Sequence, residues 1–141
     1  MFNGIVESIG VVRRVIDGDT VELADGRLVR YLGIDTPEVR RRNGAQWVTD
    51  PQPFGREATE ANRRLVEGKT VRLEYDVQTH DRYGRLLAYV YHEGQMVNAA
   101  LLEEGYAHLL TIPPNVKYAE QFRALAQHAR QAQRGLWARD D

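Results

Sequence analysis

The hydrophobic pattern changes period along the chain, from short β-branched runs near the N-terminus to helical spacing near the C-terminus. Between positions 9 and 34, runs rich in Val, Ile, Leu and Tyr are broken by Asp-Gly-Asp at 17–19 and Ala-Asp-Gly at 24–26. Gly-containing turns of this kind join successive strands of a meander, and the pattern predicts three strands there. A fourth is expected over 70–76, where Val71, Leu73 and Tyr75 alternate with Thr70, Arg72 and Glu74. A fifth follows the turn DRYGR and occupies 86–97, with Gly94 turning the chain into the next element. Five strands of this length are too few for a large sandwich and suit a small closed barrel.

Three segments carry the 3.6-residue period. Residues 55–67 place Ala58, Ala61, Leu65 and Val66 on one side, with Gly68 as a stop. The segment VNAALLEEG predicts a short helix ended by Gly105. A longer helix is expected from about Lys117 to Arg134, with Tyr118, Phe122, Leu125, Ala126, Ala129 and Ala132 on one face. Asn115 is its expected N-cap and Gly135 its stop. Residues 39–53 fit neither period and read as a long loop rich in Arg, Gly and Pro. Structureless loops of that length are usually functional or disordered.

Composition narrows the class. A length of 141 residues suits one domain, 1–141, with its core at about 9–137, and 43% hydrophobic with 28% charged residues argues against extended disorder. No apolar run reaches the roughly 18 residues of a membrane span, so no membrane partner is expected. The start MFNGIVESIG has neither a basic nor an apolar signal region, so no signal peptide is expected in this chain. Zero cysteines remove disulfides and thiolate metal sites. The net charge of −1 denies the chain a global basic field, so any polyanion must be held by local charge. That charge is uneven: arginines cluster at 13–14, 27–30, 40–42 and at Arg82 and Arg85, whereas Glu57, Glu60, Glu67, Glu103, Glu104, Asp140 and Asp141 are acidic.

Three constellations could carry chemistry. In VIDGDTVEL, Asp19 shares strand parity with Val21 and Leu23, so the pleat turns its carboxylate toward the core, where it needs a partner or a metal. In GIDTPE, Asp35 or Thr36 could cap a helix begun by Pro37 and Glu38, or the same carboxylates and a backbone carbonyl could supply hard oxygen ligands of the Ca²⁺ or Mg²⁺ kind. Strict alternation puts Arg30 and Asp35 on opposite faces unless Gly33 or the strand end intervenes. In HDRYGRLLAYVY, Arg85 sits at a turn, where a fixed guanidinium could grip phosphate oxygens bidentately. His80, His92, His108 and His128 have no spacing partner and read as surface or packing residues.

Together and in order, VIDGDTVEL, VRYLGIDTPE, DRYGRLLAYVY, MVNAALLEEGYA and the terminal GLW resemble the staphylococcal nuclease (thermonuclease) family over residues 10–137. The resemblance implies an α+β fold, a five-stranded OB-fold β-barrel with three α-helices. It implies a Ca²⁺-dependent nuclease that hydrolyses DNA and RNA by in-line water attack and leaves 3′-phosphate ends. By motif match, Asp19 and Asp35 are the carboxylate ligands of the ion and the Thr36 main-chain carbonyl is the third protein ligand. Glu38 matches the acid that positions or deprotonates water, and Arg30 and Arg85 match the phosphate-binding arginines. Arg40, Arg41, Arg42 and Tyr83 are expected to contact substrate. A monomer is expected, and the resemblance leans toward a secreted or extracytoplasmic protein whose leader has been removed.

Two departures change the expectation. The family's substrate-contacting tyrosines are absent from LLTIPPN, residues 109–115, so weaker binding of short substrates is expected. The loop after Glu38 is longer than in the family's type member and carries VRRRNGAQW. A non-catalytic OB module for nucleic acid, or a protein-interaction domain, would have eroded the acids or arginines. Here Asp19, Arg30, Asp35, Glu38 and Arg85 all keep the type that catalysis requires.

Overall fold

The computed structural model describes residues 7–50 and 52–138, with the side chain of Arg42 left aside. Residues 1–6 of the start read for a signal peptide, together with Asp140 and Asp141, lie outside the described residues. The predicted meander forms β1 (Glu7–Asp17), β2 (Thr20–Leu23) and β3 (Leu28–Tyr31). The other two barrel strands are β7 (Thr70–Glu74) and β8 (Leu86–His92). Strand β1 is long enough to serve two neighbours: residues 7–11 pair with β7, and residues 12–17 pair with β2. Register shifts at Val12/Arg14 and Val15/Asp17 bend it between the two, as β-bulges do. Strand β8 pairs antiparallel with β7 and parallel with β3, and this last pairing closes the five-stranded barrel. It is the expected OB-fold.

Helices α1 (Gly55–Val66), α2 (Val97–Glu103) and α3 (Ala119–Gln131) seal the barrel. Val12, Val21, Leu23, Val29, Leu73 and Val90 of the strands are buried with Ala61 and Val66 of α1, Leu101 and Leu102 of α2 and Phe122 of α3. Each fully buried aliphatic of this set contributes about 1.5–3 kcal/mol. Four small strands stand outside the barrel ring: β4 (Ile34–Asp35), β5 (Arg40–Asn43), β6 (Gln46–Thr49) and β10 (His108–Leu109). A fifth, β9 (Gln95–Met96), pairs with the end of β8 beyond Gly94 and shortens the strand expected over 86–97. No helix among the described residues is long and apolar enough to cross a membrane.

The structure corrects three expectations. Residues 39–53 are not a structureless loop: β5 and β6 pair as a hairpin, with Arg40 opposite Thr49 and Asn43 opposite Gln46. No helix starts at Pro37, because the chain enters that hairpin and α1 begins only at Gly55. Asn115 does not cap α3; its side chain accepts from the Gln78 amide at 2.8 Å and donates to the Gln78 carbonyl at 3.0 Å. Tertiary pairing took that side chain, and α3 starts after Tyr118 without a side-chain cap.

At the base of the barrel, buried Glu74 accepts hydrogen bonds from the hydroxyls of Tyr91 and Tyr118, each at 2.9 Å, and pairs with Lys117. Burial raises its carboxyl, but the bonds from Lys117, Tyr118 and Tyr91 outweigh this and hold it below the usual range. A carboxylate lowered by folding stabilises the fold fully above its unfolded-state value, and the contribution is lost as pH falls through the folded value. Glu74→Gln is therefore expected to reduce unfolding free energy by about 1–3 kcal/mol at neutral pH. Urea unfolding across a pH series should show the gap to wild type closing in the acid range.

Candidate active site

The β1–β2 turn builds the first part of the site. Asp17 Oδ1 accepts the Asp19 amide at 3.0 Å, and Asn62 of α1 donates to the Asp17 carbonyl at 2.9 Å. Asn62 is held in turn by the buried Tyr31 hydroxyl at 2.7 Å, so helix and barrel fix one turn between them. Gly18 is needed for closeness: a Cβ there would stand 2.6 Å from Thr36 Oγ1. Asp19 is only 4% exposed. Its Oδ2 accepts the Thr36 amide at 2.9 Å, and its Oδ1 accepts the Thr20 hydroxyl at 3.1 Å. An inward carboxylate that parity predicts is thus satisfied by the neighbouring segment of chain.

The turn from β3 to β4 resolves the face problem between Arg30 and Asp35. Gly33 at φ +82° reverses the chain after the strand, a conformation that glycine adopts without penalty. A Cβ at Gly33 would collide with the ring of Phe122, so α3 packs directly on this turn. Asn98 of α2 donates to the Leu32 carbonyl at 2.8 Å, and the Leu110 amide donates to the Gly33 carbonyl at 2.9 Å. With the turn so held, Arg30 Nη1 donates to the Tyr31 and Ile34 carbonyls at 2.6 and 3.0 Å. Its Nη2 lies 3.3 Å from Asp19 Oδ2 and 3.4 Å from Asp35 Oδ1.

Glu38 stands at the root of the hairpin. Its amide donates to Gln52 Oε1 at 2.8 Å, and its carbonyl accepts the Gln52 amide at 2.7 Å. Gly55 packs against the same carbonyl, which would lie 2.7 Å from a Cβ there. Burial pushes the Glu38 carboxyl up, and the charges of Asp19 and Asp35 add to this, against Arg30 and Arg40. Asp35 is raised by burial and by Asp19, with Arg30 and His108 opposing. Burial and Asp19 drive Asp17 up to about 8. The cluster holds more negative charge than Arg30 neutralises.

Arg85 is oriented separately. Its Nε donates to Asp81 Oδ2 at 2.7 Å, while the Tyr83 and Arg85 amides donate to Asp81 Oδ1 at 2.9 and 3.0 Å. Burial would raise the Asp81 carboxyl, but these bonds hold it below the usual range. The bond at Nε sets the guanidinium plane without engaging the terminal nitrogens. Arg30 and Arg85 line one cleft of about 300 Å³, with Tyr83 on its rim and Leu110 and Ile112 in the wall. The aromatic-free segment of the sequence thus supplies an aliphatic wall. A second cleft, of about 450 Å³, brings Asp35, Thr36 and Glu38 together with Gln52 and His108.

The hairpin arginines are not an open run. Arg41 pairs with Asp50, and Arg40 lies 4.9 Å over the Trp47 ring. For Arg42 the structure gives the backbone position alone, opposite Trp47 in the ladder. The sequence reading missed Asp17, Gln52, Asp81 and His108. Of these only Asp81 had a legible signal, its position four residues before Arg85 across a Gly-containing turn. His108 read as packing, and it does stack edge-on against Trp137 at 5.3 Å, but it also faces Asp35 across the β4–β10 ladder.

The residues fit a hard cation of the Ca²⁺ class. Asp19 and Asp35 offer oxygen donors with excess negative charge between them, which is what a dication relieves. Among the described residues no three His, Cys, Asp or Glu side chains form an all-protein metal cluster, so a bound ion would draw its remaining ligands from backbone oxygen and water.

A closed five-stranded barrel with three helices, bearing two arginines in one cleft and Asp35 and Glu38 in a second, defines an α+β OB-fold protein with a polar site. The chain belongs to the staphylococcal nuclease family: the family model described as staphylococcal nuclease homologue matches residues 28–139. It is 41% identical over 130 residues to a thermonuclease of Staphylococcus hyicus, covering 90% of this chain and 74% of that protein. To endonuclease YncB of Bacillus subtilis (strain 168) it is 40% identical over 131 residues, 89% of this chain but only 60% of the relative. A thermonuclease of Staphylococcus intermedius is 39% identical over 132 residues, 92% of this chain and 76% of that protein.

The two arginines should separate on stability. Arg30 is woven into the turn by four contacts, so Arg30→Ala leaves carbonyls and buried carboxylate unpaired and is expected to cost on the order of 3 kcal/mol. Arg85→Ala breaks a single partly exposed pair and leaves Asp81 the bonds from two amides, so it should cost less, about 1 kcal/mol. Denaturant unfolding of the two variants measures the difference.

Proposed function

We propose that this protein is a Ca²⁺-dependent nuclease that hydrolyses phosphodiester bonds of DNA and RNA and leaves 3′-phosphate ends. The family and the names of its thermonuclease and endonuclease relatives support a nuclease hydrolase. The observation that carries the finer reading is the convergence of Asp19, Asp35 and Glu38 around Arg30, with Arg85 lining the same cleft as Arg30.

In this reading Asp19, Asp35 and the Thr36 main-chain carbonyl hold the ion. When bound, Ca²⁺ polarises the phosphodiester and offsets its charge. Arg30 and Arg85 grip the non-bridging oxygens and stabilise the extra charge that builds as phosphorus becomes five-coordinate. Glu38 orients the attacking water by hydrogen bonding and takes up its proton as the new P–O bond forms. The bond from phosphorus to the 5′ oxygen breaks on the opposite side, and the leaving oxygen is protonated from solvent. Gln52 and Gly55 matter because they hold the backbone of Glu38 in place, and Asp81 because it sets the plane of Arg85. The protein acts as a monomer.

The test is cleavage of single-stranded DNA, duplex DNA and RNA with Ca²⁺, Mg²⁺ or chelator. Wild type is expected to cleave with Ca²⁺ and to stop in chelator, and Glu38→Gln to lose about 10²–10⁴-fold in kcat. Equal cleavage by the two proteins, or none by either, refutes the reading. The aliphatic wall at Leu110 and Ile112 gives a second expectation. A nucleoside 3′,5′-bisphosphate should bind weakly, and Ile112→Tyr should tighten it by about 1–3 kcal/mol if the added ring stacks on the base. Calorimetry with the bisphosphate reads both values.

A further inference from the structure

A groove of about 400 Å³ lies between the hairpin β5–β6 and α1, and the hydrolytic reading makes no use of it. Arg40 of β5 stands on one wall and Arg56 of α1 on the other. Helical spacing builds the second wall, because Arg56, Thr59, Glu60 and Arg63 share one face of α1. Thr59 is buried and gives its hydroxyl to the Gly55 carbonyl at 2.9 Å, so the charged residues set the character of the groove.

The charge is one-sided. Three arginines line the groove against a single carboxylate, Glu60. Glu60 Oε2 accepts from Arg63 Nη1 at 2.7 Å, and Glu67 lies 3.5 Å from Nε of the same guanidinium, so the acid is engaged with Arg63. Arg56 has no acid partner among the described residues. Arg40 lies over the Trp47 ring, a contact that fixes the guanidinium and leaves its charge uncancelled. Two arginines on opposite walls are stabilised by an anion between them, and the planar guanidinium fork matches the oxygens of a phosphate.

Both arginines are tied to Glu38. Arg40 is two residues beyond it, about 7 Å of extended chain at most. Arg56 follows Gly55, which packs so closely that a Cβ there would stand 2.7 Å from the Glu38 carbonyl. The groove shares no lining residue with the cleft of Arg30 and Arg85. A polynucleotide whose phosphodiester lies at those two arginines continues past it in both directions. On the Glu38 side it passes the carboxylates of Asp35 and Glu38, and Arg40 and Arg56 then meet the phosphates that follow.

We propose that this groove is a second phosphate subsite, in which Arg40 and Arg56 grip a backbone phosphate of the nucleic-acid substrate on the Glu38 side of the bond that is cut. The subsite rests on the nuclease reading above and adds to it a contact that a polynucleotide makes and a dinucleotide is too short to make. It reads backbone charge and no base edge, so it carries no sequence preference.

The test compares wild type, Arg56→Gln, Arg56→Lys and Glu60→Gln on a thymidine dinucleotide and on an oligothymidylate of about twenty residues, from about 50 to 200 mM salt. Arg56→Gln is expected to raise KM for the oligomer about tenfold more than KM for the dinucleotide, with kcat for the oligomer little changed. The slope of log KM against log salt should fall by about 0.7, the share of one phosphate contact on a single strand. Arg56→Lys keeps the charge and should keep most of the slope. Glu60→Gln removes the groove's acid and should shift oligomer KM and slope the opposite way, a gain that damage to the fold does not produce. Equal KM ratios and slopes in wild type and Arg56→Gln, or no tightening in Glu60→Gln, overturn the subsite. If wild type cleaves neither substrate, the nuclease reading fails. Fluorescence anisotropy of a labelled oligomer in chelator then decides the groove alone: weaker binding by Arg56→Gln supports it, and equal or absent binding overturns it. Thermal unfolding of each variant separates lost binding from lost fold.

Discussion

Asp19 is a carboxylate at the edge of a barrel core, and the arrangement of the site follows from satisfying it. A buried charge without partners is not tolerated, so this one is met by the Thr36 amide, the Thr20 hydroxyl and the Arg30 guanidinium. Those three partners come from different segments, which ties the β1–β2 turn to the β3 strand and to the segment after β4. The attraction is incomplete, since burial, together with the charge of Asp19, pushes the carboxyls of Asp17, Asp35 and Glu38 upward. The same residues that close the turn therefore crowd several carboxylates around a single guanidinium.

Each helix reaches this region by polar or close contacts. Helix α1 sends Asn62 to the Asp17 carbonyl and sets Gly55 against Glu38. Helix α2 sends Asn98 to the turn before Gly33, and α3 presses Phe122 onto Gly33 itself. The glycines at 18, 33 and 55 mark places where backbone must approach closely: a methyl group would press on Thr36 at Gly18, on Phe122 at Gly33 and on the Glu38 carbonyl at Gly55. Preorganisation of this kind matters for phosphoryl chemistry, because little else than positioning and charge lowers the barrier. Asp81 does the same work for Arg85 from a separate loop, so the two arginines meet across the cleft on independent supports.

Much of the fold was legible because barrel strands and sealing helices are patterned by burial. Val71, Leu73, Val21 and Leu23 alternate as the pleat requires, and Ala58, Ala61 and Val66 recur at helical spacing. The stretch after Glu38 was not legible, since a hairpin that covers no core has no reason to alternate apolar with polar residues. Its ladder pairs arginines and asparagine with threonine, valine, tryptophan and glutamine. Asn115 misled for the opposite reason: its residue type suits a helix cap, but Gln78, far away in sequence, supplies both of its partners. Gln52 and His108 carried no signal, because their role depends on which backbone or strand they meet.

What the sequence alone determined is the identity and order of the chemical groups: acids in two short turns, one arginine in a strand and one after a glycine turn, each in a motif that constrains its own backbone. Residue parity even foretold that Asp19 points inward, because parity is a local property of the strand. Tertiary structure alone decided that Arg30 and Asp35 meet, that Asp81 orients Arg85 into the cleft lined by Arg30, and that Trp47 stands with Arg40 on an arm beside Glu38. These are relations between segments, set by the Gly33 reversal, the closure of β3 on β8 and the clamp of Gln52. A one-dimensional pattern records which face a residue takes within its own element, and it carries no information about what the folded chain brings opposite that face.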